Sequence, residues 1–343
     1  MRVLLHCAKR LGWTLVTLWL ATCVTFALLH LAPGTPAASS VGEGESLSAA
    51  RDAASLERFR REHLLDRPLA VQYLDYLGPF DLSERGHPWF GGSGERPYGG
   101  LFCGDLGVEL LRPGVPVAGE IEKRLAVTLP LMFCALLLGY AVAIPLGVQA
   151  ARRRGGTFDR LTTGGTFLLV ALPVFWAGVL LQTLLGARGL DLLPVLWPAG
   201  EATAAQVLAA SVLPVACAAY GIAAYVSRQT RAAMIEALES DWVRTLRARG
   251  LAESRIVWRH ALRNAAAPLC MHFGQVLPAL AAGSVLIETI FDVPGVGTYL
   301  YRGLLQRDVD IVTGVVLVSA LFAGLGLLLS DLLHGSLDPR ARP

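Results

Sequence analysis

Apolar residues gather in six long runs, separated by polar stretches of very unequal length. A helix rises about 1.5 Å per residue and the hydrocarbon of a bilayer is about 30 Å thick, so about 20 mainly apolar residues cross it. The runs predict spanning helices over 11–31, 125–148, 161–185, 204–226, 268–290 and 311–333. Proline stands inside four of them, as Pro130 and Pro145, Pro173, Pro214 and Pro278. It removes a backbone donor and predicts kinks, which neighbouring helices in a bundle can make good. The first run follows Arg2, His6, Lys9 and Arg10, which is how a signal peptide begins. It is too long for an ordinary signal core and has no small-x-small cleavage pattern near Pro33, so it is read as an uncleaved anchor helix.

The pattern describes an all-α polytopic membrane protein with six transmembrane helices. Three regions are expected: the N-terminus and first span over 1–31, a polar insertion over 32–123, and a five-helix core over 124–343 that includes a long loop at 228–267. The insertion opens on Pro33-Gly34-Thr35-Pro36 and carries an Arg- and Glu-rich helical pattern over 47–65. Its stretch over 81–104 is rich in glycine, proline and aromatics, a loop composition. Val71, Tyr73, Leu74, Tyr76 and Leu77 give this region something to pack.

Charge sets the orientation. Arginine crowds the loop after the second span (Arg152, Arg153, Arg154, Arg160) and the loop after the fourth (Arg228, Arg231, Arg244, Arg247, Arg249, Arg255, Arg259, Arg263). The loops after the third and fifth spans balance their arginines with acids. By the positive-inside rule both termini lie in the cytoplasm and 32–123 lies outside, in the periplasm of a bacterium. Composition agrees: 54% of the 343 residues are hydrophobic and 17% charged, where a soluble domain carries about 25% charge. Only Lys9 and Lys123 are lysines, following Ala8 and Glu122, so no Gly-Lys-Ser/Thr phosphate loop is present. The six cysteines form no CxxC pair, and neither a metal site nor a cofactor is expected.

The loop over 228–267 is too long for a plain connection and carries apolar periodicity in Val243, Leu246, Leu251, Ile256, Val257 and Leu262. Asp241 can cap a helix running through Arg249, and Gly250 fits the left-handed position that ends one. Glu253 or Ser254 can open a second helix through about Asn264. The result is helix–Gly–helix at the membrane surface. By composition alone such an Arg-rich amphipathic segment also fits a surface for anionic lipid headgroups.

The string from Asp241 through Trp242, Val243, Arg244, Thr245, Leu246, Arg247, Ala248 and Arg249 to Gly250 and Leu251 resembles the cytoplasmic coupling loop of ABC importer permeases, closest to the dipeptide, oligopeptide and nickel group. His260, Asn264 and Pro268 continue the likeness. Further stretches resemble the same family in order: His30 to Pro36, Leu65 to Tyr73, Gly104 to Gly107, Arg124 to Leu129, Ile144 to Gly147, Leu172 to Trp176, Glu288 to Gly297 and Leu337 to Arg340. The chain departs from the general importer motif, with Arg244-Thr245-Leu246 where Glu-Ala-Ala is usual, and its 81–100 segment is longer than the family norm.

The resemblance implies a non-enzymatic permease subunit in the bacterial inner membrane, forming half of a translocation pathway for peptides or a related small solute. It implies a second homologous permease subunit, two ABC ATPase subunits and a periplasmic substrate-binding protein as partners, with no nucleic acid. It also places ATPase coupling on Asp241, Arg244, Thr245, Leu246, Arg247, Ala248, Arg249, Gly250 and Leu251. Leu246 and Leu251 are then expected to fill a groove of the ATPase, with Arg244, Arg247 and Arg249 pairing with acids at its rim. Gln275, Ser284, Glu288, Pro294, Gly295 and Gly297 are the gate or pathway candidates, and Gln182 and Ser211 are further candidate lining positions.

Glu288 has two readings, one facing the pathway or a peptide amino group and one solvated at the interface. The run Pro294-Gly295-Val296-Gly297 follows a span rather than a strand, so it is a tight turn and not a nucleotide fingerprint. The rival reading is a stand-alone secondary transporter or channel. The near absence of charge in the cores of the runs argues against ion coupling.

Overall fold

The computed structural model describes residues 2–31, 67–78, 100–101, 104–112, 114–186, 190, 192–200, 202–266, 269, 272 and 283–337. The expected helix over 47–65, the 81–100 segment up to residue 99 and most of the expected fifth span lie outside these residues. The described elements are α1 (Arg2–Leu31), α2 (Leu69–Leu77), α3 (Val117–Arg152), α4 (Thr157–Ala171), α5 (Val174–Leu185), α6 (Ala204–Glu239), α7 (Asp241–Ala248), α8 (Glu253–Arg255), a π-helical turn over Ile256–Ala261, α9 (Val285–Ile290), α10 (Val296–Gln306) and α11 (Val309–Leu337). Among the described residues the only β feature is an isolated bridge between Val108 and Pro116.

Among the described residues four helices are long and apolar enough to cross a membrane: Gly12–Leu31 of α1, α3, α6 and Val309–Leu329 of α11. The pair α4 and α5 makes a fifth if it is one span, bent by 99°. A single continuous third span was expected, and the break falls at Leu172-Pro173. Proline disfavours helical backbone in the residue before it, and Leu172 adopts φ −79°, ψ 120°. Pro130, Pro145 and Pro214 remain inside their helices. The α6 N-terminus is closed by a capping box, with Thr203 Oγ1 accepting from Gln206 N and Gln206 Oε1 accepting from Thr203 N.

The chain divides into two compact units. One comprises residues 1–12, 126–298 and 321–343. Its apolar core joins Leu131, Met132 and Leu136 of α3, Leu213 and Cys217 of α6, and Ile287, Phe291 and Val293 around α9. Helices α3 and α6 approach so closely that a Cβ at Gly147 would sit 2.6 Å from Ser227 O and from Thr230 Cβ. A second core lies near the helix ends, where Val148 and Ala151 meet Met234, Ala237, Val257, Ala261 and Ala265.

The other unit comprises 13–125 and 299–320. Here Tyr73 of α2 hydrogen-bonds Thr22 (2.8 Å) and Cys23 (3.0 Å) of α1, and its ring meets Phe26 edge-on at 5.3 Å. A polar knot ties the 104–116 segment to α10 and α11. Tyr299 donates to Glu109 at 2.9 Å, Arg112 grips the same carboxylate through two bonds of 2.6 and 2.7 Å, and the Arg124 guanidinium lies 4.6 Å over the Tyr299 ring. Asp308 accepts from Leu110 N at 2.6 Å and from Ile311 N at 3.0 Å. Burial still pushes its carboxyl above the usual range. None of these acids is conspicuous in the sequence, because they join residues nearly 200 positions apart.

Candidate functional site

The helix–glycine–helix elbow is built where α6 stops. Ser240 leaves helical backbone (φ −71°, ψ 151°) and serves as the N-cap residue of α7. The sequence placed Asp241 in that role; instead Asp241 opens the first turn, exposed, with Arg244 3.3 Å away. Acidic charge in a first turn suits the positive end of a helix. The C-terminus closes as expected. Gly250 takes φ +78°, its N–H bonds Arg247 O at 2.9 Å, and Leu251 N bonds Leu246 O at 3.3 Å. These are the two reverse bonds of a Schellman motif, which a left-handed glycine makes possible.

Only one face of α7 is anchored. Val243 is fully buried and Trp242 packs against the α3–α6 end core, while Arg244, Thr245, Arg247, Ala248 and Arg249 are exposed and Leu246 and Leu251 are half-buried. The second arm runs from α8 into the π-helical turn, where Leu262 N bonds Val257 O. The wider turn puts Ile256, Val257 and Ala261 on one buried face. The sequence predicted this arm as an ordinary helix; the extra residue in the turn has no signal in apolar spacing.

Ion pairs surround the elbow. Arg247 meets Glu253 across the glycine turn through Nη2–Oε1 (2.9 Å) and Nε–Oε2 (3.1 Å). Arg154 pairs with Glu239. Asp159 at the start of α4 accepts from Arg231 of α6 through both oxygens, one bond at 2.8 Å, and from Gly155 N at 2.9 Å. Asp159 is 4% exposed. Asp159→Ala leaves a half-buried guanidinium without its carboxylate and is expected to cost about 2–4 kcal/mol. Thermal unfolding of the detergent-solubilised subunit checks this, with Asp159→Asn falling between variant and wild type.

The gate candidates are placed as follows. Gln275 lies outside the described residues. Ser284 is the N-cap of α9, its Oγ accepting from Ile287 N at 3.4 Å. Glu288 is fully buried, so the solvated reading fails. Its Oε1 accepts from Thr128 of α3 at 3.0 Å and its Oε2 from Thr298 N at 3.0 Å. Thr128 Oγ1 in turn accepts from Val296 N at 2.9 Å. Thr298 Oγ1 lies within bonding distance of Val293 O and Gly295 O. A Cβ at Gly295 would overlap the Glu288 carboxylate and Thr128, and one at Gly297 would come within 2.9 Å of Glu288 Oε2. Pro294 is the exposed tip of this turn. The run over 291–298 is therefore a turn wrapped around a carboxylate.

The two lining positions inferred from polarity act locally. Gln182 donates to Ile290 O at 2.6 Å and fastens α5 to the end of α9, and Ser211 bonds back to Val207 O within α6. Thr128 and Thr298 carry this architecture without having stood out in the sequence, and Glu253 stood out only as a helix start, since each acts through a partner distant in sequence or across a turn.

An apolar bundle with a capped surface elbow and no nucleotide loop is the architecture of a transporter's membrane component. Residues 143–343 match the family described as "Binding-protein-dependent transport system inner membrane component", and the chain belongs to that family of ABC importer permeases, whose ATPase is a separate subunit. It is 33% identical to the dipeptide transport system permease protein DppB of Escherichia coli K12, with 97% of each chain covered. It is 32% identical to the di/tripeptide transport system permease protein DppB of Pseudomonas aeruginosa, with 98% of each covered. It is 31% identical to the oligopeptide transport system permease protein AppB of Bacillus subtilis, with 93% of each covered. The fold is similar to a chain of the inward-facing MetNI methionine ABC transporter, with a TM-score of 0.52 at 17% identity over 64% of this chain and 97% of that one. Family membership sets aside the stand-alone transporter or channel.

Proposed function

We propose that this chain forms half of an inner-membrane pathway for dipeptides or closely related small peptides, driven by ATPase subunits that seat α7 and its glycine turn. The observation that carries the coupling assignment is the elbow: a short helix exposed on its arginine face, with Val243 buried and Trp242 packed on the α3 and α6 ends, and stopped by a left-handed glycine. A rigid arm on a packed bundle is what transmits a motor's closure to the spans. The cargo class rests on the near full-length likeness to dipeptide and oligopeptide permeases.

The complete assembly has a second permease subunit, two ATPases, and a substrate-binding protein on the outer side, toward residues 32–123. The topology is six spans with both termini in the cytoplasm, the fifth span crossing 268–290. Asp241 to Leu251 form the element that couples to the ATPase, touching it through Arg244, Leu246, Arg249 and Leu251. Ser284, Glu288 and the Pro294–Gly297 turn, with Gln275, belong to the gate, where the buried Glu288 holds the turn in shape rather than touching cargo.

The test is affinity purification of the tagged chain from its native membrane, followed by uptake of radiolabelled dialanine into proteoliposomes. ATPase subunits are expected to copurify, and uptake is expected to need ATP and the binding protein. Dialanine movement by the chain alone, without nucleotide, would overturn the reading.

A further inference from the structure

Arg247 was expected, from resemblance, to pair with acids on the ATPase. In the structure its guanidinium is already engaged. Both Nε and Nη2 are bonded in fork-to-fork geometry to Glu253, on the far side of the Gly250 turn. Such a bidentate pair fixes orientation as well as distance. The two residues it joins stand on the two arms of the elbow, α7 and α8.

Packing explains why a joint is needed there. The inner faces of both arms are seated: Val243, Ile256 and Val257 have no exposed surface. The outer side is not. Behind the pair lies a cleft of about 370 Å³, floored by Ala151, Ile235 and Leu238 and edged by the Arg154–Glu239 pair. On this outer side the Arg247–Glu253 pair links the two arms, whose inner faces rest on the core. The glycine turn itself is held by its two reverse backbone bonds and meets no side chain, since nothing stands within 4 Å of where its Cβ would lie.

We propose that Arg247 and Glu253 act as a brace that locks the two arms of the elbow into one rigid lever, so that force applied to α7 reaches the spans. This rests on the coupling reading above. Arg247 is then a positioning residue, and the rim contacts with the motor fall to Arg244 and Arg249. An exposed pair contributes little to static stability, so its loss leaves the fold standing and shows in transmission. Glu253 sits below the ordinary glutamate range, first because Arg247 donates to it. With a depressed folded value, the pair is complete above the unfolded glutamate range and is lost only as pH falls through that lower value, so the brace is constant across neutral pH.

The experiment compares Arg247→Glu, Glu253→Arg and the double exchange in the assembled complex. Three readouts are taken: copurified ATPase, amide hydrogen exchange over 241–251, and dialanine taken up per ATP hydrolysed. Each single variant is expected to keep its ATPase subunits, exchange about tenfold faster in α7, and lose at least fivefold in uptake per ATP. The double exchange is expected to return both values to within twofold of wild type. Unchanged exchange in the single variants overturns the brace. So does loss of the ATPase that the double exchange fails to restore, which would make Arg247 a motor contact. A wild-type chain that holds no ATPase would instead sink the coupling reading, and the exchange measurement would still decide the brace.

Discussion

Glu288→Ala is expected to be the most damaging single substitution in the described part of the chain. The carboxylate has no exposed surface and takes hydrogen bonds from the Thr128 hydroxyl and the Thr298 amide. Its removal orphans both donors in an apolar bundle, at about 1–3 kcal/mol each, and leaves a cavity besides. A total of about 3–5 kcal/mol is expected, read as a large drop in the thermal unfolding midpoint of the solubilised complex. Glu288→Gln keeps the shape and one acceptor but turns an amide donor toward a donor, so it falls in between. Gly295→Ala attacks the same point from outside, because its new carbon would overlap the carboxylate and Thr128. A wild-type melting profile for Glu288→Ala would mean that the turn over 291–298 is held by something else.

Gly250→Val is expected to uncouple ATP hydrolysis from uptake while leaving membrane insertion intact. The position has open space around it, so no collision contributes. The cost is backbone conformation: a left-handed φ of +78° is strained by about 1–2 kcal/mol for an ordinary side chain, and by more for a β-branched one. The chain can relieve that strain by giving up the two reverse bonds that end α7, which swings the exposed arm away from its seat. Asparagine tolerates this region best after glycine, so uptake per ATP is expected to fall in the order Gly, Asn, Ala, Val. Equal uptake by Gly250→Val and wild type, at equal expression, would show that the elbow transmits nothing.

Glycine at 250 also illustrates what a sequence can carry. Its role follows from a local rule, and the turn appears where that rule puts it. The long spans are equally local: a run of about 20 apolar residues has few other fates in a membrane. Even so, the helices outgrow their apolar runs. α3 begins at Val117 rather than near 125, and α6 continues to Glu239 beyond the expected end at 226. The α6 extension holds helix because it packs on the elbow, with Met234 and Ala237 buried against Val257 and Ala261, and the α3 extension buries Val117 and Ile121.

What this sequence determined by itself is therefore everything governed by neighbours in the chain: the apolar spans, the positive loops, the missing phosphate loop, the elbow and the glycine that ends it. Tertiary structure alone decided which of the four described prolines breaks its helix, that Glu288 is enclosed rather than solvated, and that Arg247 is spoken for by Glu253. The reason is physical. A hydrogen bond or an ion pair has no periodicity to betray it, and the partner of Glu288 stands 160 positions away at Thr128. Its geometry comes into being only when α3 and α9 are brought together by the packing of their apolar faces.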